Sequence, residues 1–264
     1  MQVTQEFDRR SFLAKGAVTA SGLMVAGTAA DMWIPELAAA GQDNGKGLNG
    51  ISTAKPKRGG KLTIGLNAEE QGFNPSSGRF DTAGFMYART VFDPLMITTA
   101  KGTTVPYLAE SMTPNSDATE WTITVRPNIK FHDGTPCDGN ALKVNMESYL
   151  ASPLVGVAIR PLIAGVEQTG DRSIVVKMKH GWWTFPVTMA EQQICFVFAP
   201  SMLKEPNAGT NNPIGTGPFV FKEWKVNDHF TAVANKDYWR PGLPYLSEIT
   251  YKPIPDDQAR AQAL

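Results

Sequence analysis

Residues 105–136 read VPYLAESMTPNSDATEWTITVRPNIKFHDGTP, and the reading of this stretch decides the fold. Trp121, Ile123 and Val125 alternate with polar residues, so one face of a β-strand carries all three. His132, Asp133 and Gly134 lie between a strand end and Pro136, which is tight-turn chemistry. The adjacent His132 and Asp133 do not read as a catalytic pair. Neighbours on a turn rarely present both groups to one substrate, and no nucleophile pattern lies nearby.

Working outward, Asn140–Tyr149 places Leu142, Met146 and Tyr149 on one helical face. RSIVVKMK (172–179) is a strand with Ile174, Val176 and Met178 aligned. ICFVFAP (194–200) is a continuous apolar run, which predicts a strand buried on both faces. Towards the N-terminus, Lys61–Leu66 is a strand, FNPSSG (73–78) is turn chemistry and Thr82–Phe92 is a helix. Towards the C-terminus, GPFVFKEWK (217–225), HFTAVAN (229–235) and SEITYKPIP (247–255) are three further strands. Asp256 and Asp257 after Pro255 then start a helix, because an Asp side chain accepts hydrogen bonds from the first free N–H groups. Short apolar runs between frequent Gly and Pro fit an α/β or α+β protein rather than a helical bundle.

Lys plus Arg equals Asp plus Glu at 25 each among 264 residues. That balance argues against a dedicated nucleic-acid binder. The three histidines share no metal-ligand spacing, and HExxH, CxxC, GxSxG and GxxxxGK[ST] are absent from the sequence, so no metal, cofactor or catalytic residue is expected. Cys137 and Cys195 fall in a turn and an apolar run, and two separately buried thiols are the default reading, with a disulfide the alternative after export. The N-terminus resembles a twin-arginine export signal: Arg9–Arg10, then Ser11 to Lys15, a mildly apolar stretch, and Ala38–Ala40 where a signal peptidase would cut. Residues 1–40 are therefore expected to be a cleaved signal peptide, and 41–58 a polar, Gly-rich flexible leader. Together they imply a periplasmic or extracytoplasmic location.

Four stretches, in order, resemble family 5 of the bacterial extracellular solute-binding proteins, receptors of ABC importers for oligopeptides, dipeptides and nickel chelates. They are RGGKLTIGLNAEEQGFNPSS (58–77), the 105–136 block, NNPIGTGPFVFKEW (211–224) and ANKDYWRPGLPYLSEITYKPIPDDQARAQAL (234–264). Met112 stands where a Trp is usual, and Pro127–Asn128 interrupts the usual pattern after Arg126. The resemblance implies an α/β fold of the periplasmic-binding-protein type II, large two-lobe class. The first lobe would be 59–98 with 195–264, left incomplete; 99–194 would be an inserted small α+β domain; the second lobe would be absent, as in a truncated receptor. It further implies a monomer that binds a peptide or other small solute and engages an ABC permease.

By the same resemblance three places would face the ligand cleft: Ser77, Gly78, Arg79 and Phe80; Gln193 with Gln192; and Thr216 with Gly217. Each has a plainer reading. Arg79 suits a solvated surface, Phe80 a core, and Gln193 the satisfaction of backbone groups. Gly215–Thr216–Gly217 suits a conformational device that exploits positive φ. Trp182–Trp183 could form an aromatic platform, with packing under the small domain the preferred reading. Two other functions compete: an exported hydrolase with scattered catalytic residues, and an inactive fragment.

Overall fold

A computed structural model describes residues 56–204 and 209–263; the signal segment and most of the leader lie outside the described residues. Two four-stranded sheets organise the described residues. The first runs β1 (Lys61–Leu66), β10 (Glu248–Pro253), β9 (His229–Ala234) and β8 (Phe219–Lys225). β1 and β10 pair in parallel, from Lys61 opposite Glu248 to Leu66 opposite Pro253, while the other pairs are antiparallel. A parallel pair needs a long crossover, and here everything between residues 66 and 248 supplies it.

Within that crossover lies the second sheet, antiparallel throughout: β4 (Ala109–Pro114), β5 (Glu120–Val125), β7 (Ser173–Met178) and β6 (Ile163–Gly170). A hairpin of β2 (Met96–Thr98) and β3 (Thr104–Pro106) precedes it. The buried face of β5 and β7 is the alternation read from the sequence: Trp121, Ile123, Val125, Ile174, Val176 and Met178. Helix α2 (Gly139–Ala151) buries Leu142, Met146 and Tyr149 in the same apolar cluster. Asp138 caps it by accepting from the Ala141 N–H. A short α3 (Gly156–Ile159) follows, and α4 (Phe185–Glu191) comes after β7.

Helix α1 (Thr82–Val91) starts at Asp81, whose Oδ1 accepts from the N–H groups of Ala83 and Gly84 at 2.7 and 3.0 Å. α1 buries Tyr87, Ala88 and Val91, and Tyr87 joins Phe73, Phe230 and Tyr251 in an aromatic cluster. At the other end, α5 (Asp257–Gln262) begins where PDD predicts, with Asp256 accepting from the Ala259 N–H.

The run 194–200 departs from expectation. It is fully buried to Ala199, but as a 3₁₀ turn (Gln193–Cys195) followed by single bridges from Phe196 to Pro94 and from Phe198 to Gly215, not as a strand. Its backbone partners come from several directions. The Leu95 N–H donates to the Cys195 carbonyl, and Val197 donates to Asp93. Asn145 of α2 both donates to the Phe198 carbonyl and accepts from the Phe198 N–H. Periodicity reports burial here but cannot report which partner satisfies each amide.

Both cysteines are free and buried, and burial pushes both thiols up from their ordinary range. Trp182 packs on Phe185 with ring centroids 5.0 Å apart, whereas Trp183 is exposed. The glycines of the GTG turn do not use positive φ. Each lets the backbone approach the end of α1, where a Cβ on Gly217 would stand 2.5 Å from the Val91 carbonyl oxygen.

Candidate solute site

The chain leaving β1 must reverse before α1, and residues 67–81 make that passage. Phe73 anchors it: its ring is buried among Tyr87, Trp224 and Phe230, and its N–H donates to the Thr210 carbonyl at 2.9 Å. Asn74 then builds the turn. Its Oδ1 accepts from the Ser76 N–H and hydroxyl, and its carbonyl accepts from the N–H groups of Ser77 and Gly78. This is an Asx turn, and it leaves Ser77 and Arg79 exposed while Phe80 is buried.

Gln193 fixes the loop from the opposite side. Its Nε2 donates to the carbonyls of Pro75 (2.6 Å) and Gly78 (2.7 Å), and its Oε1 accepts from the Phe80 N–H (3.1 Å). All the hydrogen-bonding groups that this side chain presents to the loop are therefore spent on backbone. The family resemblance put both places separately at the cleft. The structure brings Gln193 together with 75–80, and the geometry makes Gln193 the strut and the loop the presented surface. Gln192, by contrast, is exposed beside it.

A polar cavity of about 740 Å³ opens against the loop, lined by Glu69, Glu70, Asn74, Ser77, Gly78, Arg79, Asp81, Leu154 and Thr210, among others. The volume falls within the usual range for small-ligand pockets. Its wall is acidic. Glu69 accepts from Trp224 Nε1 and the Asn227 N–H, and Asp81 caps α1. Glu70 is buried, and its pKa is raised to about 7, mainly because burial disfavours the charge and then because the Asp81 carboxyl lies beside it. The same neighbourhood, with the helix N–H groups leading, holds Asp81 below its ordinary range. Sequence reading missed Glu69, Glu70 and Asp81 as wall residues. Asp81 carried a cap signal ahead of Thr82, but nothing local marks a glutamate that tertiary packing will bury.

Thr216 and Phe80 do not reach this wall. Thr216 is buried, and its hydroxyl donates to Asp93 Oδ2 at 3.0 Å. Asp93 also accepts from Trp239 Nε1 (2.7 Å) and the Tyr238 hydroxyl (3.0 Å). Tyr238 shares a hydrogen bond with Tyr107, which accepts from Arg240. This hub joins the end of α1, the GTG turn, the β3–β4 connection and the segment after β9. Its three donors favour the charged Asp93, but complete burial outweighs them and raises its pKa. His132 is likewise structural: its Nδ1 accepts from the Gly215 N–H, which fixes Nε2 as the donor to the Gly217 carbonyl.

With this geometry in hand, the fold is that of the periplasmic binding proteins. The chain superposes on the periplasmic binding protein DppA of Helicobacter pylori, in complex with the peptide STSA, with a TM-score of 0.68 at 20% identity, over 79% of this chain and 45% of that one. It superposes on NikA from Brucella suis, in complex with Fe(III)-EDTA, with a TM-score of 0.69 at 28% identity, over 77% and 41%. The model of "bacterial extracellular solute-binding proteins, family 5" (its middle portion) matches residues 103–264, and the chain belongs to that family. It is 31% identical over 194 residues to the nickel-binding periplasmic protein of Escherichia coli K12, covering 72% of this chain and 37% of that relative. The chain thus spans well under half the length of the relatives it matches.

Proposed function

We propose that this chain supplies one wall of the solute cleft of an exported receptor, which captures a peptide or related small solute and passes it to an ABC permease. The observation that carries this is the 72–81 loop, pinned by Gln193 and open to the polar cavity, in a chain of a solute-binding family. Ser77, Gly78 and Arg79 are the presented groups. Phe80 and Gln193 hold them in place, and Thr216 acts only through the Asp93 hub. Residues 59–98 with 195–264 form the first lobe and 99–194 the inserted domain, a division supported by the two sheets drawing their strands from those segments. The receptor works as a monomer outside the cytoplasm after twin-arginine export. Support comes from Arg9–Arg10 and the following sequence, and from the periplasmic relative. Binding, not catalysis, is the activity, since the family is one of binding proteins.

Calorimetric and NMR titration of the chain with peptide, nickel-chelate and sugar pools tests the proposal. The peptide or chelate pool should bind and shift the amides of Ser77, Gly78 and Arg79. No response to any pool would overturn it.

A further inference from the structure

The cavity wall has an uneven charge that the function above does not explain. Glu69, Glu70 and Asp81 line it with a single basic side chain, Arg79, and among the described residues none of the four makes an ion pair. Two of the carboxylates have local work. Glu69 is held by Trp224 and Asn227, and Asp81 compensates the positive end of α1. Glu70 is different. It is 7% exposed, its side-chain partner is the Asp81 carboxyl, to which it is hydrogen-bonded when protonated, and among the described residues no cation reaches it. The backbone N–H groups of Asp81 and Gly84 help it only weakly, because Gly84 is already bonded to the Asp81 carboxylate. A second group on the same wall calls for an acceptor. Asn74 is 6% exposed, its Oδ1 is occupied by Ser76, and its Nδ2 has no acceptor among the described residues. A buried carboxylate without a counter-charge is costly unless something pairs with it.

We propose that Glu70, with Asp81 beside it, receives the cationic head of an organic solute, a primary ammonium or guanidinium, while Asn74 Nδ2 donates to an acceptor next to that head. This rests on the reading of the cavity as a solute site and adds the chemical class of its occupant. A metal ion fits less well: among the described residues no three His, Cys, Asp or Glu side chains gather as a metal site would need. Arg79 lies on the same wall and would repel the cation, so it serves the other end of the solute or faces water.

The assignment carries a pH signature. The groups that face Glu70 are Asp81, Glu69 and Arg79 on its own loop and the Tyr87 hydroxyl on α1. Tyr87 is held well above its ordinary range by burial and by these carboxylates, so it stays neutral. Glu70 is then the group that titrates near neutrality, protonated below about pH 7 and charged above it. A cation displaces that proton, so its affinity should be about tenfold weaker at pH 6 than at pH 8.

The test is an amide NMR titration of the full chain with agmatine and butylammonium, alongside uncharged butanol and butanamide and anionic butyrate. Expected are shifts at Gly72, Gly78 and Gly84 with the two cations only, the pH dependence above, and at least a tenfold loss in Glu70→Gln. Shifts at these amides with the neutral or anionic probes and not the cations would overturn the cation assignment while leaving a solute site in place. Silence from every probe would overturn both. If Glu70→Gln does not fold, the probe and pH comparisons on the unaltered chain decide alone.

Discussion

Replacing Gln193 by alanine removes three hydrogen bonds at once: to the Pro75 carbonyl at 2.6 Å, to the Gly78 carbonyl at 2.7 Å and from the Phe80 N–H at 3.1 Å. At roughly 1 kcal/mol net for each bond, the gross loss is about 3 kcal/mol. Water can reach part of this half-buried site, and alanine recovers the rotamer entropy of glutamine, which offsets about 1 kcal/mol. A net destabilisation of about 2 kcal/mol follows. Gln193→Glu should be worse at neutral pH, because a carboxylate oxygen would replace the donor facing two carbonyls. Part of that loss should return on acidification, when the introduced carboxyl is protonated and can donate to one of them. Urea unfolding gives the stability change, and amide exchange reads Gly78 and Phe80 directly. A loss below about 0.5 kcal/mol with unchanged exchange at Gly78 and Phe80 would refute the role of Gln193 as the strut of this loop.

Three further outcomes follow from the same geometry. Asp93→Ala should cost about 3 kcal/mol or more by leaving the Thr216, Tyr238 and Trp239 donors unpaired, and Asp93→Asn clearly less, both read by thermal melts. Gly217→Ala should destabilise by about 1–3 kcal/mol, because the added methyl meets the Val91 carbonyl and backbone cannot yield as a side chain would. Glu70 should make stability fall as pH rises: its pKa is raised on folding, so its contribution is fully present below about 4.5 and is lost as pH climbs through about 7. Water in the cavity reduces the size of that effect to about 2 kcal/mol. Comparing urea midpoints at pH 5 and pH 8 for the unaltered chain and for Glu70→Gln should show the fall in stability shrink by that amount in the variant.

Much of the fold was legible because its signals are local. The alternation of Trp121, Ile123 and Val125, the 3.6-residue spacing of Leu142, Met146 and Tyr149, and the cap at Asp256 each follow from a few neighbouring residues. The run 194–200 was legible only as burial. Its amides find partners in Asp93, Asn145 and Ile214, and no pattern within the run can name them. The site divides in the same way. Asn74–Pro75 announces a turn, and the plainer reading of Gln193 as a group that satisfies backbone is what its side chain does, but no local pattern names 75–80 as the backbone it meets. Thr216 was placed at the cleft by the resemblance, yet the close approach of both glycines to α1 draws it inward to Asp93. Glu70 was invisible, since a glutamate beside another glutamate reads as solvated surface until Phe73 and α1 close over it.

The central claim is that the 72–81 loop, braced by Gln193, is the surface that meets solute. Hydrogen–deuterium exchange of the chain, with and without a saturating peptide pool, tests it most directly. Slower exchange across 72–81 and 190–197 is the expected result. Protection confined to other surfaces, such as the apolar groove lined by Tyr238, Leu243 and Leu246, would contradict it.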